Sequence, residues 1–218
     1  MVIPREAGRI TYSTEIRNLK KRLFLNDRQK SIVIGSILGD GNLSPNWSST
    51  NYRLSIGQSE KQKDYLMWKY ELLKDWILSK PRYYERTRSL SFRTISHQLL
   101  TDLYRKFYKD SKKIVPKDIK DLLTPESIAV WYMDDGNIRR NNGRVYGYYL
   151  NTQSFSREEN EYLSQVFQDK YDIKSLVIRN KNNHRLYIGV DRSKFREVVK
   201  DFIIPSMQYK LGSICDSP

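Results

Sequence analysis

Cysteine is almost missing: Cys215, near the C-terminal end, is the only one in 218 residues. That excludes an internal disulfide framework and a cysteine-based zinc cluster. Histidine is nearly as scarce, and His97 and His184 are too few and too far apart for a zinc site. No apolar run approaches the length of a spanning helix, so a membrane is not expected as a partner. Acid is short too, with 25 Asp and Glu against 39 Lys and Arg, a formal charge of +14. Such a balance points to a polyanion, and with membranes set aside the natural one is nucleic acid. The length allows one large domain or two small ones, with enough apolar content for a core.

The stretch from Leu122 to Arg139 reads L-L-T-P-E-S-I-A-V-W-Y-M-D-D-G-N-I-R. Thr124 and Pro125 form a helix start, a capping oxygen followed by a residue with preset φ and no N–H to lose. Ser127 to Met133 is a short apolar helix that runs into Asp134, Asp135 and Gly136, where glycine is expected to supply a left-handed stop. Acids are out of place there, because a helix C-terminus already carries partial negative charge. A divalent cation would repair the mismatch.

The same pattern occurs earlier. Asn26 to Leu43 reads N-D-R-Q-K-S-I-V-I-G-S-I-L-G-D-G-N-L, a capping residue and an apolar run ending at Asp40 and Gly41. Gly35 and Gly39 share one helical face, where another helix can approach closely. A lone Asp-Gly after an apolar run is an ordinary helix stop, but here more is repeated than the stop. Gln58 lies 18 residues after Asp40, and Gln153 lies 18 after Asp135. Each is followed by a capping-box pattern, Ser59 with Gln62 and Ser156 with Glu159. Lys113 lies 73 residues past Asp40, and Lys210 lies 75 past Asp135. The chain is an internal duplication.

The segments S-I-L-G-D-G, L-T-P-E-S-I-A-V-W-Y-M-D-D-G, Y-L-N-T-Q-S-F and I-I-P-S-M-Q-Y-K-L span about residues 30 to 211. In them the chain resembles the LAGLIDADG homing endonucleases of the single-chain, two-motif type, most closely the mitochondrial omega-intron group. The resemblance implies an α/β (α+β) fold of two pseudo-symmetric half-domains, each with a curved antiparallel DNA-binding sheet, packed through the two motif helices. It divides the chain into a basic arm (1–25), a first half (26–121), a second half (122–211) and a tail (212–218). It implies a site-specific endonuclease making a staggered double-strand break in a long, asymmetric DNA target by metal-dependent hydrolysis. One chain carries both halves, so a monomer is expected, either in the bacterial cytoplasm or in an organelle such as the mitochondrion. An initial Met and a terminal Ser217-Pro218 lead us to expect an enzyme that is not excised from an intein. Relatives also act as RNA maturases, so intron RNA is an alternative partner; a DNA-binding regulator without cleavage is another.

By the same resemblance, Asp40 and Asp135 bind Mg²⁺, an oxygen-seeking cation that carboxylates at helix ends suit. Gly39 contributes a backbone carbonyl, and Asp134, which matches Gly39, does the same while its side chain is incidental. Lys113 and Lys210 fall where the family polarises the attacking water or stabilises the transition state. Gln58 and Gln153 match residues that hold active-site water, although as strand-end glutamines they are equally well structural.

Recognition is expected on strands. Tyr52 to Gln58, Arg82 to Arg88 and Ser89 to Thr94 read as strands in the first half. Glu60 to Leu78 reads as an intervening helix whose Tyr65, Met67, Trp68, Leu72, Leu73 and Trp76 form a core stripe. Gln98 to Tyr108 is another helix. In the second half Arg144 to Thr152 reads as a strand, Ser156 to Lys170 as a helix, and Lys174 to Arg179 with Arg185 to Val190 as a hairpin turning at Asn180 to His184. Arg192 to Phe202 is the last long helix, ended by Pro205. Alternate strand residues share a face, which groups Arg82, Tyr84, Arg86 and Arg88, and likewise Arg144, Tyr146 and Tyr148. Arg179 and Lys181 extend another strand, and Arg53, Arg93, Arg139 and Arg185 complete the candidate DNA contacts. A basic, hydrogen-bonding strand face can enter a major groove; its bland counterpart is the solvated side of a half-buried sheet.

Overall fold

The computed structural model describes residues 14–212; the outer part of the predicted N-terminal arm and most of the tail lie outside them. Helix α1 (Thr14–Arg22) rests on a small apolar cluster of Ile16, Leu78 and Ile95. Then α2 (Asp27–Leu38) starts with a capping box between Asn26 and Gln29. The first half continues with β1 (Asn42–Pro45), β2 (Tyr52–Ser59), α3 (Lys63–Leu72), β3 (Arg82–Tyr84), β4 (Ser89–Arg93) and α4 (Gln98–Phe107). A small hairpin, β5 (Tyr108–Lys109) and β6 (Lys112–Lys113), and the short α5 (Ile119–Leu122) lead to the second motif helix, α6 (Pro125–Asp135). After it come β7 (Gly136–Asn141), β8 (Arg144–Leu150), α7 (Arg157–Tyr171), β9 (Leu176–Asn180), β10 (Asn183–Ile188) and α8 (Arg192–Val199).

Two antiparallel four-stranded sheets have matching orders, β1-β2-β4-β3 and β7-β8-β10-β9, as a duplicated chain should. Helices α2 and α6 run side by side in the same direction. At their starts the Ser31 and Thr124 hydroxyls are 2.9 Å apart, and Arg28 pairs with Glu126 at 2.9 Å. Midway, a Cβ on Gly35 would lie 2.4 Å from the Ser127 carbonyl oxygen, and near the ends one on Gly39 would lie 2.5 Å from Asp134 Cβ. Backbone therefore meets backbone, and the two acidic ends arrive together. Residues 127 to 133 are buried to the last side chain, within a contiguous core that runs through both halves.

Several local expectations are corrected. Gly136 does not take a left-handed conformation; its φ is −86°, the backbone passes straight into β7, and a Cβ would strike the Tyr132 ring at 2.0 Å. The Ser59–Gln62 capping box is absent, because Glu60–Gln62 is a 3₁₀ turn and α3 starts only at Lys63. The expected long helix stops at Leu72 and resumes as a 3₁₀ turn at Lys74–Trp76. Pro205 does not end a helix but begins a 3₁₀ segment, Pro205–Lys210. Strands β1 and β7, each following a motif acid, were too short or too polar to read. The Ser156–Glu159 box and the hairpin around Lys181 are present. Among the described residues, no helix is long and apolar enough to cross a membrane.

Candidate nuclease centre and nucleic-acid interface

Asp40 follows the end of α2 and is exposed, whereas Asp135 is the last residue of α6 and half-buried. Burial, with the nearby Asp40 and Asp134 charges, pushes the Asp135 carboxyl up to about 7, against the pull of Lys113 and Lys210. The β5–β6 hairpin carries Lys113, whose ammonium donates to the Gly39 carbonyl at 2.6 Å. Its counterpart Lys210, at the end of Pro205–Lys210, donates to the Asp134 carbonyl at 3.2 Å and also to that of Met133. The duplication thus reproduces one geometry twice: a lysine on the carbonyl of the residue before each acid. Burial lowers both lysine pKa values, opposed by the acids around them.

The glutamines part company. Gln58 is buried and donates to Asp40 Oδ2 at 2.9 Å and to Asp134 Oδ1 at 3.2 Å. Gln153 donates instead to Asn151 at 3.5 Å. Its strand has already ended at Leu150, whereas β2 still runs through Gln58.

The Asp134 side chain is not incidental. It forms an ion pair with Lys69 at 2.8 Å in which neither side chain has any solvent exposure. The Lys69 ammonium also lies 4.4 Å from the centre of the Tyr65 ring. Burial raises the Asp134 pKa, and Lys69 works against that rise. Sequence reasoning missed Lys69, although a signal existed. Tyr65, Leu66, Tyr70 and Leu73 mark the buried face of α3, and Lys69 falls on it at helical spacing.

No three or more His, Cys, Asp or Glu side chains cluster to hold a metal among the described residues. The donors at this centre are two carboxylates and the carbonyls of Gly39 and Asp134, all hard oxygens. Such a set suits a cation that keeps waters or takes further oxygens from a substrate. The raised Asp135 pKa comes first from burial and then from the neighbouring Asp40 and Asp134 charges, with Lys113 and Lys210 opposing it.

Directly opposed residues of an antiparallel pair share a face. In the first sheet the registers Ser44↔Arg53, Ser55↔Arg93, Arg82↔Ser91 and Tyr84↔Ser89 set Arg53, Arg82, Tyr84 and Arg93 on the side away from the core. Arg86 and Arg88 do not join them. Glu85–Thr87 is a turn, and Arg88, at φ 45°, closes it and pairs with Glu60 at 3.0 Å. In the second sheet Tyr146 is an extra residue opposite the Arg139–Arg140 step, a bulge that reverses the alternation. Tyr148 consequently points into the core, 2% exposed, with its hydroxyl on the Leu211 carbonyl, while Tyr146 stays exposed at the bulge. Arg144 and Arg139 remain on the open side, and the bulge brings Tyr149 there in place of Tyr148. Arg185 joins them, its guanidinium 3.8 Å from the centre of the Tyr149 ring. Arg139 covers Tyr187 at 5.3 Å. Arg179, opposite His184 and two residues from Val177, has the parity of the core side, and Lys181 lies in the hairpin turn at φ 55°.

Fold and site together define a pseudo-symmetric α/β protein whose paired helices bring two acids to the junction of two arginine- and tyrosine-bearing sheets. A family model, LAGLIDADG DNA endonuclease family, matches residues 30–195. The chain belongs to that family. It is similar to the protein RecA of Mycolicibacterium chitae, 32% identical over 201 residues, covering 86% of this chain and 47% of that protein. It is also similar to the probable intron-encoded endonuclease 1 of Wickerhamomyces canadensis, 30% identical over 211 residues, covering 90% of this chain and 89% of that one. The chain thus spans about half the length of the first curated relatives it matches and nearly all of this endonuclease. Among solved structures, the homing endonuclease I-WcaI bound to its DNA recognition sequence superimposes with a TM-score of 0.86 at 27% identity, over 97% of this chain and 98% of that one.

Proposed function

We propose that the chain is a site-specific endonuclease that makes a staggered double-strand break in duplex DNA. The observation that carries this reading is the duplicated centre: Asp40 and Asp135 delivered by packed helices, each preceded by a carbonyl held by a lysine. Asp40, Asp135 and the carbonyls of Gly39 and Asp134 would hold divalent cations such as Mg²⁺. The cations, when bound, supply charge neutralisation at the phosphate and a more acidic water. The chain's own residues do the rest. Lys113 and Lys210 hold positive charge beside the acids and so favour the extra negative charge of a pentavalent phosphate. Gln58 fixes the Asp40 carboxylate in one rotamer by its amide hydrogen bond.

Recognition falls to the open faces of the two sheets, with Arg53, Arg82, Tyr84 and Arg93 on one and Arg139, Arg144, Tyr149 and Arg185 on the other. The division into an arm, two halves meeting near residue 121 and a tail follows from this plan. So does a monomer, since one chain already carries two half-sites.

The test is digestion of DNA from the chain's own genomic context, and of a randomised duplex library, with Mg²⁺, followed by sequencing of the ends. Discrete staggered ends that vanish in Asp40→Asn and Asp135→Asn are expected. Intact DNA together with tight binding of structured RNA would replace this reading with an RNA-binding one.

A further inference from the structure

The two halves repeat each other around the acids, but beyond the glutamines they differ at one further place. Asp134 on α6 corresponds to Gly39 after α2, both standing directly before the motif acid. The Tyr65-Leu66 pair of α3 corresponds to Tyr162-Leu163 of α7, which aligns Lys69 with Val166, itself buried in the core. One half of the junction therefore holds a dry ion pair where the other holds a glycine and a valine.

The ion pair is tied to one acid only. Asp134 reaches across from the second half, and its Oδ1 accepts from Lys69 at 2.8 Å and from Gln58 at 3.2 Å. Its Oδ2 accepts from Lys69 at 2.9 Å and from the Asp40 backbone N–H at 3.4 Å. Gln58 in turn holds the Asp40 carboxylate at 2.9 Å. Asp40 is thus fixed by main chain and side chain to one buried anchor. Among the described residues nothing equivalent reaches Asp135: Gly39 has no side chain to offer, and Gln153 bonds to Asn151.

We propose that Lys69 and Asp134 are positioning residues that preorganise the Asp40 centre alone, so that the two DNA strands are cut in a fixed order. The ammonium makes the anchor possible. Without it a buried carboxylate would be left uncompensated, and it would move or draw in water, releasing Gln58 and the Asp40 backbone. Held by Lys69, the Asp134 side chain is also kept away from any cation bound between Asp40 and Asp135. A centre whose ligands start in place loses less on reaching the transition state, which is the source of the rate difference between strands.

The inference rests on the nuclease reading, so its test has one arm without DNA or metal. Amide hydrogen exchange by NMR on the full chain compares Asp40, whose N–H meets Asp134, with Gly136, whose N–H meets the Tyr132 carbonyl. In Lys69→Met, exchange at Asp40 is expected to accelerate about tenfold or more, with Gly136 unchanged. Lys69→Gln combined with Asp134→Asn, a neutral pair whose one amide oxygen can still accept from the Asp40 N–H, is expected to restore part of the protection at Asp40 and serves if the single variant does not fold.

The second arm follows each strand of a target duplex with its own end label. The parent is expected to nick one strand several-fold faster than the other. Lys69→Met should erase most of that lead by slowing the faster strand several-fold more than the slower one. Equal strand rates in the parent, unaltered exchange at Asp40, or acceleration of Asp40 and Gly136 by one common factor would each overturn the proposal. A parent that shows the exchange pattern but cuts no DNA removes the nuclease reading and leaves the anchor standing.

Discussion

Gly35 and Ser127 face each other across the paired motif helices so closely that a methyl group on the Gly35 Cα would lie 2.4 Å from the Ser127 carbonyl oxygen. The next contact, Val130 Cβ at 2.7 Å, belongs to the same helix, which leaves no flexible side chain to yield. Gly35→Ala is therefore expected to force α2 and α6 apart and to destabilise the fold by about 1–3 kcal/mol, despite the better helix propensity of alanine. Urea unfolding of parent and variant measures it; equal stability would mean that the helices part without loss.

Asp40→Asn and Asp135→Asn, made separately, are each expected to bind target DNA at least as well as the parent, because a negative charge facing phosphate has gone. Each keeps one amide oxygen but loses the charge that holds a hard cation. The acids lie at one junction, so a cation held by both would be shared, and neither variant should make the double-strand break, with slow nicking the most that survives. A supercoiled plasmid carrying the target, followed with Mg²⁺ into nicked and linear forms, decides it. Fast strand-specific nicking would keep the acids and refute the shared cation.

The Asp135 carboxyl, pushed up to about 7 by burial and by Asp40 and Asp134, also makes a pH-dependent statement about stability without metal. Its folded pKa lies above the unfolded value, so its contribution is most favourable below about pH 4 and is lost as pH rises through 7. Asparagine does not titrate. Asp135→Asn should thus gain in Tm relative to the parent as pH goes from 5 to 8 in chelator. A constant Tm difference across that range would show that the carboxyl is not perturbed.

Lys113→Met and Lys210→Met are expected to leave DNA affinity nearly unchanged and to slow cleavage, since a charge acting on the transition state affects rate more than binding. They should differ in stability. Lys210 is buried and donates to carbonyls at the end of α6, so its loss orphans them, while half-buried Lys113 meets one carbonyl beside solvent. Thermal melts should show the larger drop for Lys210→Met, of order 1–3 kcal/mol; parental cutting by both variants would remove the lysines from the mechanism.

With a formal charge of +14 and arginines on both open sheet faces, DNA affinity is expected to fall steeply with salt. A plot of log K against log salt should have a slope of magnitude above about 5. A nearly flat plot would mean that the charge is not a nucleic-acid footprint.

The sequence by itself determined the duplication and the two motif helices. These rest on local signals that need no tertiary context: the Thr124–Pro125 start, the apolar runs, and the equal distance from each acid to its glutamine. The acids and lysines as a set stand out only once the family resemblance is added to the matched spacing. Strand parity was legible only where the strands stay regular. Arg82 and Tyr84 share the open face as alternation requires, whereas Tyr148 does not, because the bulge at Tyr146 shifts the phase by one residue. A bulge is set by the partner strand, which no periodicity within β8 records. The tertiary structure alone decided the asymmetry of the centre. Helical spacing could set Lys69 on the apolar face of α3, but its partner among the chain's acids is decided only when it is buried on Asp134. An ammonium and a carboxylate 65 positions apart become one anchor only because both lose their water together, leaving each as the other's compensating charge.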